Sequence, residues 1–355
     1  MLNSVMKAGE GDGLTLQTST LQTLTFQTLT LQTATCRVSI LPALGGKIAS
    51  IRFGDREVEG RKSEGHEVGG LELLQAPLAA YAGRTREMAF DLGDASGWDE
   101  CLPSVANCSL RIDGREEEAT IPDHGDLWRV PWRVIAHDEH VATLAAECFS
   151  LPLSLVRTAT LTEENGRARL QLDYVLTNTG DVPIPWSWAA HPLFATDPGD
   201  RVRLPASIHT LRLEGSGRDR LGQSGARVNW PVADLLTGGQ VDLSLALGVE
   251  AAVGDKLFAG PLRGDEGWCM LERPSAGLRL IVRFDPSVLP YLGLWLCAGG
   301  WPDRPGPKQV CAALEPTTAP VDSLAVAGPW RQTLPPGGQT CWQMSLEIER
   351  YDKVK

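Results

Sequence analysis

The stretch RARLQLDYVLTN, residues 167–178, is the part of the sequence that decides the fold. Its apolar residues occupy alternate positions, whereas charged residues such as Arg169 and Asp173 fill positions between them. Successive side chains of a strand point to opposite faces, so this period of two predicts a strand with one buried face. The segment CWQMSLEIER (341–350) has the same alternation, beginning at Trp342. Both segments therefore predict half-buried antiparallel strands.

Strand-like runs recur along the chain, separated by segments that carry many of the 37 Gly and 24 Pro. They include KIASIRF (47–53), WRVIAHDEHVATLAAECF (132–149), LSLVRTATLT (153–162), LRLIVRF (278–284) and YLGLWL (291–296). Sustained helical periodicity is hard to find, and PVADLLTGG (231–239) is the best short helix candidate. The chain is therefore predicted to be all-β, mostly in antiparallel sheets.

Composition and charge restrict the function classes. The 33 Lys+Arg and 44 Asp+Glu give a net charge of −11, which disfavours binding to a phosphate backbone. With 43% hydrophobic residues, the 355-residue chain has enough apolar material for a sizeable core. No apolar run approaches the roughly 20 residues of a membrane span, and no secretory signal is visible. We therefore expect a cytoplasmic protein with no nucleic-acid or membrane partner, whose oligomeric state the sequence leaves open.

Residues 16–35 read LQTST-LQTLT-FQTLT-LQTAT, four copies of a pentapeptide. A period of five fits neither the strand repeat of two nor the helix repeat of 3.6. We therefore expect residues 1–35 to be a low-complexity N-terminal extension or to contribute the first strand. No linker or charge run divides the remainder, so residues 36–355 are predicted to form one β-sandwich domain.

Two acid–base residues are predicted at strand ends. In IPWSWAAHPLF (184–194), His191 shares a face with small residues and precedes Pro192, and in VCAALEPTT (310–318) Glu315 does the same before Pro316. Proline lacks the N–H that a ladder needs, so each should end its strand. Burial raises the pKa of a carboxyl toward the range useful for a general base. Taken singly, a strand-end His is more often a structural hydrogen-bonding residue and a Glu before Pro is often only a turn residue, but together the two are an acid–base candidate.

Two Gly/Pro-bounded segments, SGWDECLPS (96–104) and IPDHGDLWRVPW (121–132), are predicted loops that combine indole and hydrogen-bonding side chains. The members are Trp98, Asp99, Glu100, Asp123, His124, Asp126, Trp128, Arg129 and Trp132. Sugars stack their C–H faces on aromatic rings and hydrogen-bond through their hydroxyls, so this mixture suits a sugar. The alternative is that Trp128 and Trp132 anchor the core beside a loop and the charged groups are solvated.

Metal and cofactor motifs are not found in the sequence. The six His include no H-E-x-x-H, and HDEH at 137–140 predicts a hairpin turn. The eight Cys include no C-x-x-C, and there is neither a G-x-S-x-G nor a Gly-rich phosphate loop. We therefore expect no metal and no cofactor.

These motifs, in this order, resemble the galactose mutarotase-like family, the aldose 1-epimerases and their relatives. SILPALGGKIASI (39–51) is similar to the family's opening strand pair. GWDECLPSV with PDHGDLWRVPW is similar to the paired segment that carries the first active-site histidine, here His124. AAHPLF is similar to the segment of the second, here His191, and CAALEPTT to the segment of the glutamate base, here Glu315. The resemblance spans roughly residues 36–348.

The resemblance implies a large twisted β-sandwich, a supersandwich, with a monosaccharide or sugar derivative in an open cleft. The implied activity is that of an isomerase of carbohydrate metabolism, which interconverts anomers by opening and reclosing the ring. Glu315 would be the base, His191 the acid, and His124 a group that binds the ring oxygen or a neighbouring hydroxyl. The implied sugar contacts are Asp99, Arg84 of GRTRE (83–87), Trp98 and Trp128, and Trp301 is a further stacking candidate. No cofactor is implied.

Three functions stay open on the sequence. In HGDLWR (124–129) an aspartate follows the His-Gly pair, which favours a neutral sugar over a phosphorylated one. A non-catalytic carbohydrate-binding or sensing protein of the same fold is the main alternative to an aldose 1-epimerase. A glycoside hydrolase or lyase that uses the carboxyl groups of Glu100 and Glu315 is the third.

Overall fold

A computed structural model describes residues 26–54, 70–114 and 116–351. Within these ranges the chain forms 25 strands and six short 3-10 helices. In chain order the strands are β1 Leu29–Gln32, β2 Cys36–Leu41, β3 Lys47–Phe53, β4 Leu71–Glu72, β5 Trp98–Cys101, β6 Cys108–Leu110, β7 Ala119–Ile121, β8 Arg133–His137, β9 Val141–Glu147, β10 Leu153–Glu164, β11 Arg167–Asn178, β12 Ile184–Trp186, β13 Ala189–Ala195, β14 Arg201–Arg203, β15 Thr210–Ser216, β16 Arg227–Asn229, β17 Val232–Asp234, β18 Gln240–Asp242, β19 Val253–Ala259, β20 Trp268–Arg273, β21 Leu278–Phe284, β22 Tyr291–Ala298, β23 Val310–Thr317, β24 Gln332–Leu334 and β25 Gln339–Arg350. The 3-10 helices are Pro42–Leu44, Phe90–Leu92, Leu127–Arg129, Gly217–Asp219, Val249–Ala251 and Gly264–Glu266.

Two large antiparallel sheets organise the described part of the chain. The first has 11 strands in the order β1-β2-β3-β5-β13-β23-β22-β19-β15-β16, with β4 paired to β3. The second has eight strands in the order β14-β20-β21-β25-β11-β10-β9-β8. The predicted all-β class is therefore confirmed, and the half-buried strands at 167–178 and 341–350 are β11 and most of β25.

The core lies between these sheets. The largest apolar cluster takes alternate residues from both, for example Leu172 of β11 and Leu314 of β23. Trp186, Trp188 and Trp342 form an aromatic group with Tyr174 in this core. The rings of Tyr174 and Trp342 stack with their centroids 5.2 Å apart. The alternation that predicted the strands therefore also identified which faces are buried.

The helix suggested for residues 231–239 was wrong, because this segment forms a hairpin. Strands β17 and β18 pair from Val232↔Asp242 to Asp234↔Gln240. The turn between them contains two consecutive glycines at positive φ, Gly238 at 91° and Gly239 at 86°. Glycine adopts this conformation at little steric cost, so the pair favours a tight turn over a helix.

The N-terminal repeat contributes to the first sheet where the structure describes it. Strand β1 lies in the last copies of the repeat and pairs with β2, from Leu29↔Ile40 to Gln32↔Arg37. The preceding copies up to residue 25 lie outside the described residues. The HDEH segment forms the predicted turn between β8 and β9. Across residues 26–54, 70–114 and 116–351, no helix is long and apolar enough to cross a membrane.

Candidate active site on the large sheet

The register of the 11-stranded sheet brings His191 and Glu315 together. Strands β13 and β23 pair at Ala189↔Thr317 and again at Leu193↔Ala313, so His191 lies across from Glu315. His191 Nε2 is 3.7 Å from Glu315 Oε1, and both side chains are buried. The acid–base candidate predicted from two distant segments thus forms one site.

The predicted strand ends at the two prolines were wrong, because β13 continues to Ala195 and β23 to Thr317. The Leu193 N–H donates to Gly97 O, so by alternation the nitrogen of Pro192 faces β23. The N–H of Thr318 donates to Trp188 O, so the nitrogen of Pro316 likewise faces β13. Strand β13 stays paired with β5 through Pro192↔Trp98, and strand β23 stays paired with β22 through Leu292↔Pro316. The prolines therefore interrupt one ladder beside the acid–base pair without ending either strand.

Glu315 is held by a lysine from another strand. Lys256 of β19 forms an ion pair with Glu315 Oε2, and its Nζ is also 3.6 Å from Asp322 Oδ1. Glu315 Oε1 has no hydrogen-bond partner among the described residues. Burial raises the pKa of Glu315, and the neighbouring Lys256 opposes that rise. The site thus has a carboxylate with one oxygen engaged and the other unengaged.

His191 is a neutral imidazole near neutral pH. Burial lowers its pKa well below the ordinary value, and the nearby His124 and Lys256 add to the effect. The rings of His124 and His191 are 5.1 Å apart and nearly perpendicular. His191 Nδ1 has no partner in the described part of the chain. Its Nε2 faces the unengaged oxygen of Glu315.

His124 lies over the acid–base pair on a strained turn. Its φ of 58° is in the left-handed region that disfavours residues with a Cβ, and its Nδ1 lies 2.8 Å from Asp123 Oδ2. Phe90 stacks on the imidazole with ring centroids 3.7 Å apart and meets His191 edge-on at 5.6 Å. Non-glycine residues with such strain often occur at functional sites. Phe90 and Asp123 thus fix the ring of His124.

Asp99 belongs to a strand, which corrects the loop predicted for residues 96–104. Strand β5 lies between β3 and β13 in the sheet, and all four of its residues are buried. Asp99 pairs directly with His191 and binds Lys47 at 2.5 Å. The loop prediction failed because buried ion pairs on the two faces of β5, Asp99 with Lys47 and Glu100 with Arg157, allow charged residues to lie within the sheet.

Arg84 joins the same buried charge network. Its guanidinium binds Asp94 and Trp128 O and lies 3.6 Å from Asp99 Oδ1. The side chains of Arg84 and Asp99 are 3% and 2% exposed, so both are already engaged with protein groups. These contacts hold residues 84–94 against strand β5, which carries Asp99. Direct sugar contact by either residue stays a prediction.

No group of three or more His, Cys, Asp or Glu side chains in the described part of the chain is placed to hold a metal ion. No family model and no curated protein sequence matches the chain. Solved structures do match, among them the Slr1438 protein of Synechocystis sp. PCC 6803, with a TM-score of 0.65 at 17% identity over 92% of this chain and 97% of that one. A proposed aldose 1-epimerase of Escherichia coli K12 gives 0.64 at 18% identity over 92% and 100%, respectively. A galactose mutarotase-like protein of Lactobacillus casei gives 0.63 at 15% identity over 91% and 100%. The chain has the galactose mutarotase-like fold.

Both tryptophans predicted to stack on a sugar are buried in this fold, Trp98 in β5 of the 11-stranded sheet and Trp128 in the 3-10 helix Leu127–Arg129. Trp98 is fully buried and packs edge-on against Phe194 at 6.4 Å. Trp128 is 1% exposed, with the guanidinium of Arg129 4.2 Å from its ring centre. Stacking of a sugar on either indole would therefore require the surrounding segment to move. Trp301, half-buried and 6.2 Å from Phe90, is the more accessible candidate.

Glu100 lies on the opposite face of the 11-stranded sheet from His191 and Glu315. This placement removes the support for a hydrolase or lyase that would use Glu100 together with Glu315. It pairs with Ala190, the neighbour of His191, so its side chain points into the core. There its carboxylate accepts hydrogen bonds from Arg157 and Tyr174 at 2.9 Å and from Trp188 at 3.1 Å. Glu100 thus joins the two sheets and is not paired with Glu315.

Phe90 and Lys256 also contact the candidate site residues, Asp322 contacts Lys256, and none of the three was predicted from the sequence. Lys256 carried a weak signal, because VGDKLFA places two charged residues, Asp255 and Lys256, among apolar ones. Phe90 and Asp322 carried none, since Phe90 lies in a short 3-10 helix and Asp322 outside any helix or strand, and the position of each depends on distant strands. Their contacts with His124 and Lys256 arise only from the tertiary fold.

Proposed function

We propose that the protein is an aldose 1-epimerase that interconverts the anomers of a neutral sugar or sugar derivative. The observation that carries this proposal is the approach of His191 Nε2 to within 3.7 Å of the unengaged Oε1 of Glu315. An acid and a base held on one side of a substrate replace slow proton exchange with water. The shared fold with mutarotase-like proteins supports the same activity.

In the proposed reaction Glu315 Oε1 accepts the proton of the anomeric hydroxyl. The bond between C1 and the ring oxygen breaks, giving the open-chain aldehyde, while His191, in the minor fraction of molecules whose imidazole carries both protons, donates one of them to the ring oxygen. Rotation about C1–C2 and the reverse transfers close the ring as the other anomer and restore both residues. His124 would hydrogen-bond the ring oxygen or an adjacent hydroxyl, and Trp301 would stack on the sugar face.

The charges around the site favour a neutral substrate. Lys256 contacts two carboxylates, and Arg84 contacts one and lies near a second. These cations are therefore balanced by protein groups and do not need a phosphate to neutralise them. The net charge of −11 also disfavours attraction of an anionic sugar over long distances.

The test follows anomer exchange of freshly dissolved aldoses by polarimetry and NMR across a panel of sugars. We expect micromolar protein to accelerate exchange for at least one aldose, and Glu315→Gln to lower kcat by about 10²–10⁴-fold with sugar binding retained. Glu164→Gln, on the exposed end of β10, is the matched control and should leave the rate unchanged. Exchange no faster than the uncatalysed rate with every sugar would refute the proposal.

The non-catalytic alternative is supported by the state of His191. Burial lowers its pKa well below the ordinary value, so the imidazolium that a general acid requires is sparsely populated at neutral pH. A binding protein would show saturable sugar-induced NMR shifts with no effect on exchange. In that case His191→Ala would weaken binding and change no rate.

A further inference from the structure

Lys256 reaches the proposed base across a glycine. It lies on β19 and Glu315 on β23, with β22 between them. Gly293 of β22 pairs with Glu315, and a Cβ at this glycine would lie 2.7 Å from Glu315 Oε2. The absence of a side chain at position 293 therefore leaves the space in which the ammonium and the carboxylate meet.

The contact leaves the two oxygens of Glu315 unequal. Lys256 engages Oε2, whereas Oε1 has no hydrogen bond in the described structure and faces His191 Nε2 at 3.7 Å. The lysine side chain is 12% exposed and the glutamate 1%, so water screens their interaction poorly. A buried carboxylate without a cation would tend to take up a proton and lose its function as a base.

We propose that Lys256 is a positioning residue for the anomer exchange, which keeps Glu315 ionised and leaves Oε1 turned toward the substrate. This inference rests on the proposed function and adds to it a residue that contacts the base and not the reacting atoms. It also accounts for a cation in a strand that is otherwise largely buried.

Other charged and titratable groups act on the same carboxyl. Those that face it or interact with it are Lys256 of β19, Asp322 after β23, His191 of β13, His124 on its turn, and the buried thiols of Cys101 and Cys311. The nearby carboxyl of Asp322 raises the pKa of Glu315, opposite to the effect of Lys256. The two neighbours therefore give variants with opposite expected signs.

The experiment titrates Glu315 directly in the full chain by ¹³C NMR of protein labelled at the glutamate side-chain carboxyls, with Glu315→Gln to assign the resonance. Lys256→Met should raise the pKa of Glu315 by about 1–3 units, as expected for loss of an opposite charge at contact distance. Asp322→Asn should lower it. Lys256→Arg, which keeps the charge, should restore most of the wild-type value, and the acid limb of kcat/KM should follow the same order.

Opposite shifts in Lys256→Met and Asp322→Asn support the proposal, because a general loss of stability would not change sign between them. An unchanged Glu315 titration in folded Lys256→Met overturns it, as do shifts of both variants in one direction. If the wild type exchanges no anomers, the proposed function fails on its own, while the titration still decides whether Lys256 holds Glu315 ionised.

Discussion

His191 shows how burial decides what a single side chain can do. Its imidazole is 5% exposed and lies between His124, Lys256 and Glu315. Burial is the largest cause of its lowered pKa, and the adjacent positive charges act in the same direction. The folded protein therefore binds a proton at this position less tightly than the unfolded chain does.

This difference makes stability depend on pH. With a folded-state pKa below the unfolded value of 6.5, the contribution of His191 is fully present above pH 6.5 and is lost as the pH falls through the lowered pKa. We expect the free energy of unfolding of wild type to fall relative to His191→Asn between pH 7.5 and 5, measured by urea denaturation. The exposed His209→Asn is the control. Parallel curves for wild type and His191→Asn would contradict the assignment.

At the scale of the strand, the sequence predicted many of the longer strands but not how two of them continue. The alternation in 167–178 gave the bounds and buried face of β11 because one face packs on the core. The prolines at 192 and 316 misled, since a missing N–H breaks only the ladder it faces and each strand had a second neighbour. Which neighbour a proline nitrogen faces is set by strand order, and strand order is not visible in a local pattern.

The candidate site was predictable to a similar extent. His191, His124 and Glu315 were recognised through motif order, and the sheet register places the first and last opposite each other. Lys256 was not recognised, because its partner lies 59 residues away on a strand that is not adjacent to its own. Contacts of this kind depend on the order of the strands in the sheet and on the space at Gly293. The alternation of residues within one strand carries information about neither.

Gly293 gives a prediction at the element scale. An alanine Cβ there would lie 2.7 Å from Glu315 Oε2 and 3.2 Å from Phe258 Cε1, so we expect the carboxylate to be displaced from its position beside Lys256. We expect Gly293→Ala to lower kcat/KM of anomer exchange by about 10²-fold, the cost typical of a 1 Å displacement of a reacting group. Gly215→Ala, in β15 of the same sheet with open space around its Cβ position, should have little effect. Equal rates for the two variants would show that Glu315 need not be held in place.

At the scale of the whole molecule, a buried polar network ties the two sheets together. Glu100 of β5 belongs to the 11-stranded sheet, whereas Arg157 of β10 and Tyr174 of β11 belong to the eight-stranded sheet. Arg157 also donates to Gly46 O, next to β3. Both charged side chains are 0% exposed, so their attraction is offset by a large cost of removing them from water. The pair therefore fixes how the sheets align more than it adds to net stability.

This view predicts strong coupling between the two residues. Glu100→Gln or Arg157→Met alone leaves one buried charge unpaired and should lower the free energy of unfolding by about 3–5 kcal/mol. The double variant should lose much less than the sum, because no unpaired charge then remains in the core. The same double-mutant cycle at the half-exposed pair Arg203 and Glu272, 2.7 Å apart on β14 and β20, should give a coupling of about 0–1 kcal/mol. Additive losses at Glu100 and Arg157 in equilibrium urea denaturation would mean that the sheets are aligned by apolar packing alone.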